Sequence, residues 1–83
     1  MKRDVLDIEI SRVLPNLRSV YDADSIEELS SSIRHYGQLE PIRVWFAHES
    51  FRILDGEKRW RACKKIGMTG IKAVITEVER AAV

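Results

Sequence analysis

The stretch Phe51-Arg52-Ile53-Leu54-Asp55-Gly56-Glu57-Lys58-Arg59-Trp60-Arg61-Ala62-Cys63-Lys64-Lys65-Ile66-Gly67 changes period at its middle. Phe51-Arg52-Ile53-Leu54 reads as a strand, and Asp55-Gly56 breaks it. From Glu57 onward Trp60, Cys63 and Ile66 recur in steps of three, the spacing of a helix face turned to a core, until Gly67 stops the run. The turn between strand and helix is where chemistry is expected. Gly56 has no side chain, so another group can approach the backbone closely. The helix that follows leaves its first amides unpaired and carries partial positive charge at its start. Such an end is a natural seat for phosphate. Lys58 and Arg59 add full positive charges in the first turn, where the helix dipole disfavours them, so a nearby anion is expected to compensate them. Asp55 is expected to cap the helix.

Working outward, Pro41 introduces a strand in which Ile42, Val44 and Phe46 alternate with Arg43 and Trp45, and residues 47–50 form a hairpin turn. Upstream, Ser25-Ile26-Glu27-Glu28 has capping-box spacing. Ile26, Leu29, Ile33 and Tyr36 follow at helical intervals, and Gly37 supplies a left-handed stop. Near the start, Leu6, Ile8 and Ile10 alternate with Asp7 and Glu9 as in a half-buried strand. Residues 11–24 read as a loop long enough to be functional, and residues 71–78 as the last strand. The order is β-α-β-β-α-β. The fold class is α/β (α+β), a small mixed sheet with helices packed on one face, as one domain over residues 1–83.

At 83 residues the chain is near the lower size limit for a self-sufficient core. Hydrophobic residues make up 45%, which argues against disorder, and 33% are charged, yet the net charge is only +1. Bulk charge therefore says nothing about nucleic acid. Its distribution says more: Asp22, Asp24, Glu27 and Glu28 cluster early, and Lys58, Arg59, Arg61, Lys64 and Lys65 cluster later. Cys63 is the only cysteine, which rules out an intramolecular disulfide and paired thiolate ligands. No apolar run approaches the roughly 20 residues of a membrane span, and no signal-peptide pattern follows Met1-Lys2-Arg3-Asp4. The expected compartment is the cytoplasm, with no membrane partner.

Several residues admit two readings. Glu57 either stabilises the start of its helix or holds a divalent cation such as magnesium beside a phosphate. Arg61, Lys64 and Lys65 are either the solvated face of an amphipathic helix or contacts to a nucleic-acid backbone. Trp60 and Cys63 are expected in the core. His35 and His48 form no ligand pair and are expected in solvent.

Gly37-Gln38-Leu39-Glu40-Pro41-Ile42-Arg43-Val44, followed by Leu54-Asp55-Gly56-Glu57-Lys58-Arg59-Trp60-Arg61-Ala62 and then Gly67-Met68, resembles the N-terminal domain of the ParB partition-protein family. The similarity runs from about residue 5 to residue 78. It implies a ParB/sulfiredoxin-like fold, shared also with a free-serine kinase, and a module that binds CTP with magnesium and switches between open and clamped dimers on DNA. Carried over by position, Gly56, Glu57, Lys58 and Arg59 form the triphosphate turn. Gly37, Gln38, Glu40 and Pro41 lie near the nucleotide, and the loop containing Asn16 and Arg18 approaches the phosphates. Partners implied are a nucleotide, DNA, and a second copy or another protein, in plasmid or chromosome partition or in phage or plasmid regulation. The sequence departs from the family at Pro15-Asn16-Leu17-Arg18, where a Gln-Pro-Arg run is usual. Glu40 stands in place of Gln, and Lys58 in place of Arg or His. The family's acidic-Asn segment and helix-turn-helix lie beyond the region that matches. Sulfiredoxin chemistry is not expected, because the position of its reactive cysteine is Glu57. The enzyme alternative is a ParB-like nuclease or a small phosphotransferase using Glu57, with Glu40 or Asp55 assisting.

Overall fold

The computed structural model describes residues 4–15 and 22–77. The chain runs through β1 (Leu6–Glu9), a 3-10 turn (Ile10–Arg12), β2 (Val13–Leu14), α1 (Ala23–Tyr36), β3 (Ile42–Ala47), β4 (Ser50–Asp55), α2 (Glu57–Lys65) and β5 (Gly70–Ile75). These strands form one mixed sheet in the order β1-β5-β3-β4-β2. The outer pairs are β1 antiparallel to β5 and β2 parallel to β4, while β3 runs antiparallel to β4 and parallel to β5.

Alternation fixes which face is buried. The registers Val44↔Ile53, Ile42↔Ala73, Ile8↔Ile71 and Val13↔Phe51 align apolar side chains on one side of the sheet. Ile42, Val44, Ile53, Ile71 and Ala73 are almost wholly removed from water there, each larger aliphatic contributing about 1.5–3 kcal/mol. Arg43, Arg52 and Lys72 occupy the intervening positions and are exposed. Trp60, Ala62 and Cys63 of α2 and Ile33 of α1 cover the buried side, so both helices serve the same core. The helices also pack on each other. Ser30 is fully buried, and its hydroxyl donates to the Ile26 carbonyl at 2.7 Å. Glu27 of α1 and Lys65 of α2 form an ion pair.

Several local expectations need correction. The span read as a loop contains the 3-10 turn and β2; Val13 is buried, and a strand of two residues is too short to show alternation. The first strand is shorter than expected, since Ile10 has already entered the turn. Helix α1 begins before Ser25: Asp22 is its N-cap, accepting from the Ser25 amide at 2.8 Å, so the capping box is not the start signal. Asp22 outcompetes Ser25 because a carboxylate at the cap forms a charge-assisted bond. Tyr36 is 67% exposed rather than part of the buried stripe, and Ser30 takes a core position instead. Gly37 has the expected positive φ of 80°, but its ψ of 178° lies in a region reserved for glycine rather than in the left-handed helical basin. Asp55 ends β4, and the N-cap of α2 is Gly56, in the left-handed region at φ 99°. The last strand ends at Ile75, and Val78 lies outside the described residues.

The β3–β4 hairpin closes through His48 and Glu49, with φ of 52° and 63°. Positive φ at both central residues is the requirement of a type I′ connection, which Asn-Gly satisfies far better. Replacing His48 by Asn and Glu49 by Gly is expected to stabilise the domain by about 1 kcal/mol. In a domain of this size that raises Tm by roughly 4–8 °C. A thermal melt checks it, and an unchanged midpoint would mean the loop is not held left-handed in solution.

Candidate phosphate-binding site

Strand β4 delivers the chain to Gly56, which turns it into α2. Two independent features require glycine there: the left-handed backbone, and the space above it. A methyl built on Gly56 would lie 2.8 Å from Ile42 Cγ2 and 3.1 Å from Arg59 Nη1. The turn is thus wedged between a core side chain and a guanidinium that folds back over it.

Arg59 is three-quarters buried along its side chain. Its Nη2 donates to Glu40 Oε2 at 3.3 Å, and its Nη1 makes a long contact of 3.4 Å with the Pro41 carbonyl. Glu40 and Pro41 belong to the link between α1 and β3, which Gln38 fastens to the sheet. Gln38 is only 7% exposed; its Nε2 donates to the carbonyls of Glu40 (3.0 Å) and Lys72 (2.9 Å), and its Oε1 accepts from the Lys72 amide (2.8 Å). The side chain behaves as one more rung of β5. Its polar atoms therefore hold the link in place. Leu29, Ser32, Ile33, Gly37, Leu39, Glu40 and Arg59 line a depression of about 170 Å³. That is smaller than the roughly 300–1,000 Å³ of complete small-molecule sites, so it can accept part of a ligand.

The expected residues divide accordingly. Arg59 brings together Gly56, over which it folds, and Glu40 and Pro41, which it contacts, while Gly37 shares with Arg59 and Glu40 the lining of the depression. Lys58 is half-buried in the first turn. Glu57 is 95% buried, with its Oε2 accepting from Arg61 Nη2 at 3.1 Å and Nε at 3.3 Å. Arg18, with the rest of residues 16–21, lies outside the described residues. Arg61, Lys64 and Lys65 all have work within the fold: Arg61 holds Glu57, Lys65 pairs with Glu27, and Lys64 Nζ sits 4.5 Å from the centre of the Trp60 ring. The hydrogen-bonded Lys65 ammonium holds the Glu27 carboxyl below its ordinary pKa. Each of these three cations thus faces a group of its own chain, with Lys64 and Lys65 still exposed. Trp60 and Cys63 are in the core as expected, and His35 and His48 are exposed. Burial pushes the Cys63 thiol up, against a smaller opposing effect of Arg59, which suits a packing residue rather than a nucleophile.

Two features escape a reading of the sequence: the pairing of Arg59 with Glu40 and the structural duty of Gln38. Opposite charges 19 positions apart carry no periodic signal. A polar residue just past a helix stop looks like ordinary loop.

A five-stranded mixed sheet with a strand–glycine–helix turn and cations at the helix start defines a ParB/sulfiredoxin-like domain. Residues 2–83 match the ParB N-terminal domain, and the chain belongs to that family. A nucleoid occlusion protein of Geobacillus sp. (strain WCH70) is 38% identical over 78 residues, which cover 89% of this chain and 28% of that protein. Among solved structures, the C-terminally truncated chromosome-partitioning protein ParB of Caulobacter crescentus, complexed with CTP-gamma-S, superposes with a TM-score of 0.84. It has 28% identity, with 92% of this chain and 46% of that one covered. Sulfiredoxin of Arabidopsis thaliana gives a TM-score of 0.80 at 26% identity, covering 90% of this chain and 86% of that one. The chain thus spans less than a third of its Geobacillus relative and under half of the Caulobacter chain. No helix among the described residues is long and apolar enough to cross a membrane.

Proposed function

We propose that the turn at residues 56–59 binds the phosphates of a nucleotide, CTP with magnesium, in a protein that acts on DNA during partition. The carrying observation is the Arg59 guanidinium folded back over Gly56 at the start of α2. It places a charged donor beside amides that have no acceptor within the helix. The side of Gly56 that a Cβ would take is already filled by Ile42 and Arg59, so a phosphate would meet the turn through the Arg59 guanidinium and the amides at the start of α2. Lys58 adds a second cation, and the link pinned by Gln38 borders Arg59 through Glu40 and Pro41. The CTP-gamma-S complex of the Caulobacter protein supports a nucleotide of this kind, and the kinship with ParB and nucleoid occlusion proteins supports the DNA role.

Among the described residues no group of three or more His, Cys, Asp or Glu could hold a metal. A magnesium ion would therefore arrive on the phosphate oxygens and take at most one carboxylate from this turn, a pattern common for that ion. Glu57 is the candidate, and its pair with Arg61 would have to open.

Titration with the four nucleoside triphosphates, with and without magnesium, followed by thermal shift and calorimetry, tests the reading. CTP with magnesium is expected to raise Tm; ligand at a hundred times its Kd stabilises by about 2.7 kcal/mol. Arg59→Ala removes a charge-assisted contact of about 1.5–3 kcal/mol and should weaken binding by roughly 10–150-fold. The ligand-free melt of the variant separates this from loss of the Pro41 and Glu40 contacts. No nucleotide-dependent shift with any triphosphate would reject the proposal.

A further inference from the structure

Arg59 does not wait uncompensated for a ligand, because a carboxylate of the same chain already sits on it. We infer that Glu40 is a resident competitor for phosphate at Arg59, so that residue 40 sets how tightly the site holds a polyphosphate. The inference rests on the phosphate-site reading above and deepens it.

The geometry separates a fixed part from a movable one. The backbone of residue 40 is held through its carbonyl by Gln38 Nε2, which is itself anchored to β5. The Glu40 side chain, by contrast, is 77% exposed and reaches Arg59 through one bond of 3.3 Å. Exposed single-bond pairs are weak, because water screens them and ordering two long side chains costs entropy. An incoming phosphate can therefore displace the carboxylate without moving the loop. Glu40 and Arg59 line the same depression, so a displaced carboxylate remains near the bound anion and repels it. Both effects act against phosphate and neither requires a change of fold.

The test compares wild type, Glu40→Gln and Glu49→Gln by calorimetric titration with CTP plus magnesium and with inorganic tripolyphosphate. Glu49→Gln makes the same change in net charge in the β3–β4 turn. The opposite end of that hairpin, a six-residue strand away, is the end next to Gly56. Glu40→Gln is expected to bind both probes roughly two- to fivefold more tightly than wild type, with a ligand-free melting temperature within a few degrees of it, and Glu49→Gln is expected to match wild type. Binding unchanged or weakened in Glu40→Gln, or a gain equalled by Glu49→Gln, overturns the competition while leaving the phosphate site standing. No binding of either probe by any of the three proteins overturns the site and the competitor together.

Discussion

Gly56→Ala is expected to destabilise the domain by about 2–5 kcal/mol, from two separate costs. Holding a residue with a Cβ in the left-handed region costs roughly 1–2 kcal/mol. The added methyl also lands 2.8 Å from Ile42 Cγ2 and 3.1 Å from Ile42 Cβ. Ile42 is fully buried and β-branched, so it has no flexible end with which to yield. Overpacking of that kind costs about 1–3 kcal/mol. Gly67→Ala separates the two costs, because Gly67 has a φ of 80° but nothing within 4 Å of the place a Cβ would take. It should lose only the backbone part. Stability of the order of 0.05–0.15 kcal/mol per residue is usual, so Gly56→Ala consumes a large share of what a chain this short can have. Chemical denaturation of both variants decides the matter. Equal losses would show that Ile42 does not crowd the turn, leaving the left-handed backbone as the sole reason for glycine at this position.

The same glycine shows where sequence reading succeeds and where it stops. The change from strand to helix at residues 55–57 was legible because two periodicities meet there and only glycine suits the junction. The alternation of β3 and β4 was equally plain, since Ile42, Val44, Phe51 and Ile53 all reach the buried face. Topology was legible only as a mixed sheet. That β5 inserts between β1 and β3 follows from long-range packing, which no local pattern encodes. Strand β2 escaped notice because a two-residue strand has no period. Helix α1 is legible from Ile26, Leu29 and Ile33, yet it starts earlier than the capping-box spacing suggests: Asp22, Ser25 and Glu28 all suit a helix start, and Asp22 takes the cap by accepting from the Ser25 amide.

At the site, charge composition led to Lys58 and Arg59, but not to what compensates them. Cations at a helix start do call for an anion, and the fold partly meets that requirement itself through Glu40. Glu57 is a first-turn carboxylate whose burial neither of its two readings specifies. It is buried, and the Arg61 pair one helical turn on offsets the cost of removing its charge from water. Of the basic run on α2, Arg59, Arg61, Lys64 and Lys65 each face a group of the same chain. Residue types and spacing singled out the turn, while the distribution of charge among partners depends on side chains brought together from α1, the 37–41 link and α2.

Gln38→Glu is expected to produce a large, pH-dependent loss of stability. The native amide donates from Nε2 to two carbonyls, at 3.0 Å and 2.9 Å, and accepts from one amide. A carboxylate keeps the acceptor but replaces the donor with a second negatively charged oxygen, buried and facing the carbonyl oxygens of Glu40 and Lys72. Losing buried donors while burying an unpaired charge should cost about 3 kcal/mol or more near neutral pH. The proton reverses part of this, since a neutral carboxyl can donate to one of the two carbonyls. The folded variant therefore binds its proton more tightly than the unfolded chain, whose Glu titrates near about 4.3. With the folded value raised, the penalty is smallest below the unfolded value, grows as pH rises through it, and levels off above the folded value. Measured against wild type, the stability deficit should thus shrink on acidification from pH 7 toward pH 4, at up to about 1.4 kcal/mol per pH unit. Taking the difference from wild type removes the acid sensitivity that both proteins share through Glu27. Gln38→Met provides the contrast: it leaves the Lys72 amide and both carbonyls without their partner at every pH, so its deficit should be flat. If the Gln38→Glu deficit were flat as well, the side chain would not face those carbonyls, and the 37–41 link would need another anchor to hold Glu40 and Pro41 against Arg59.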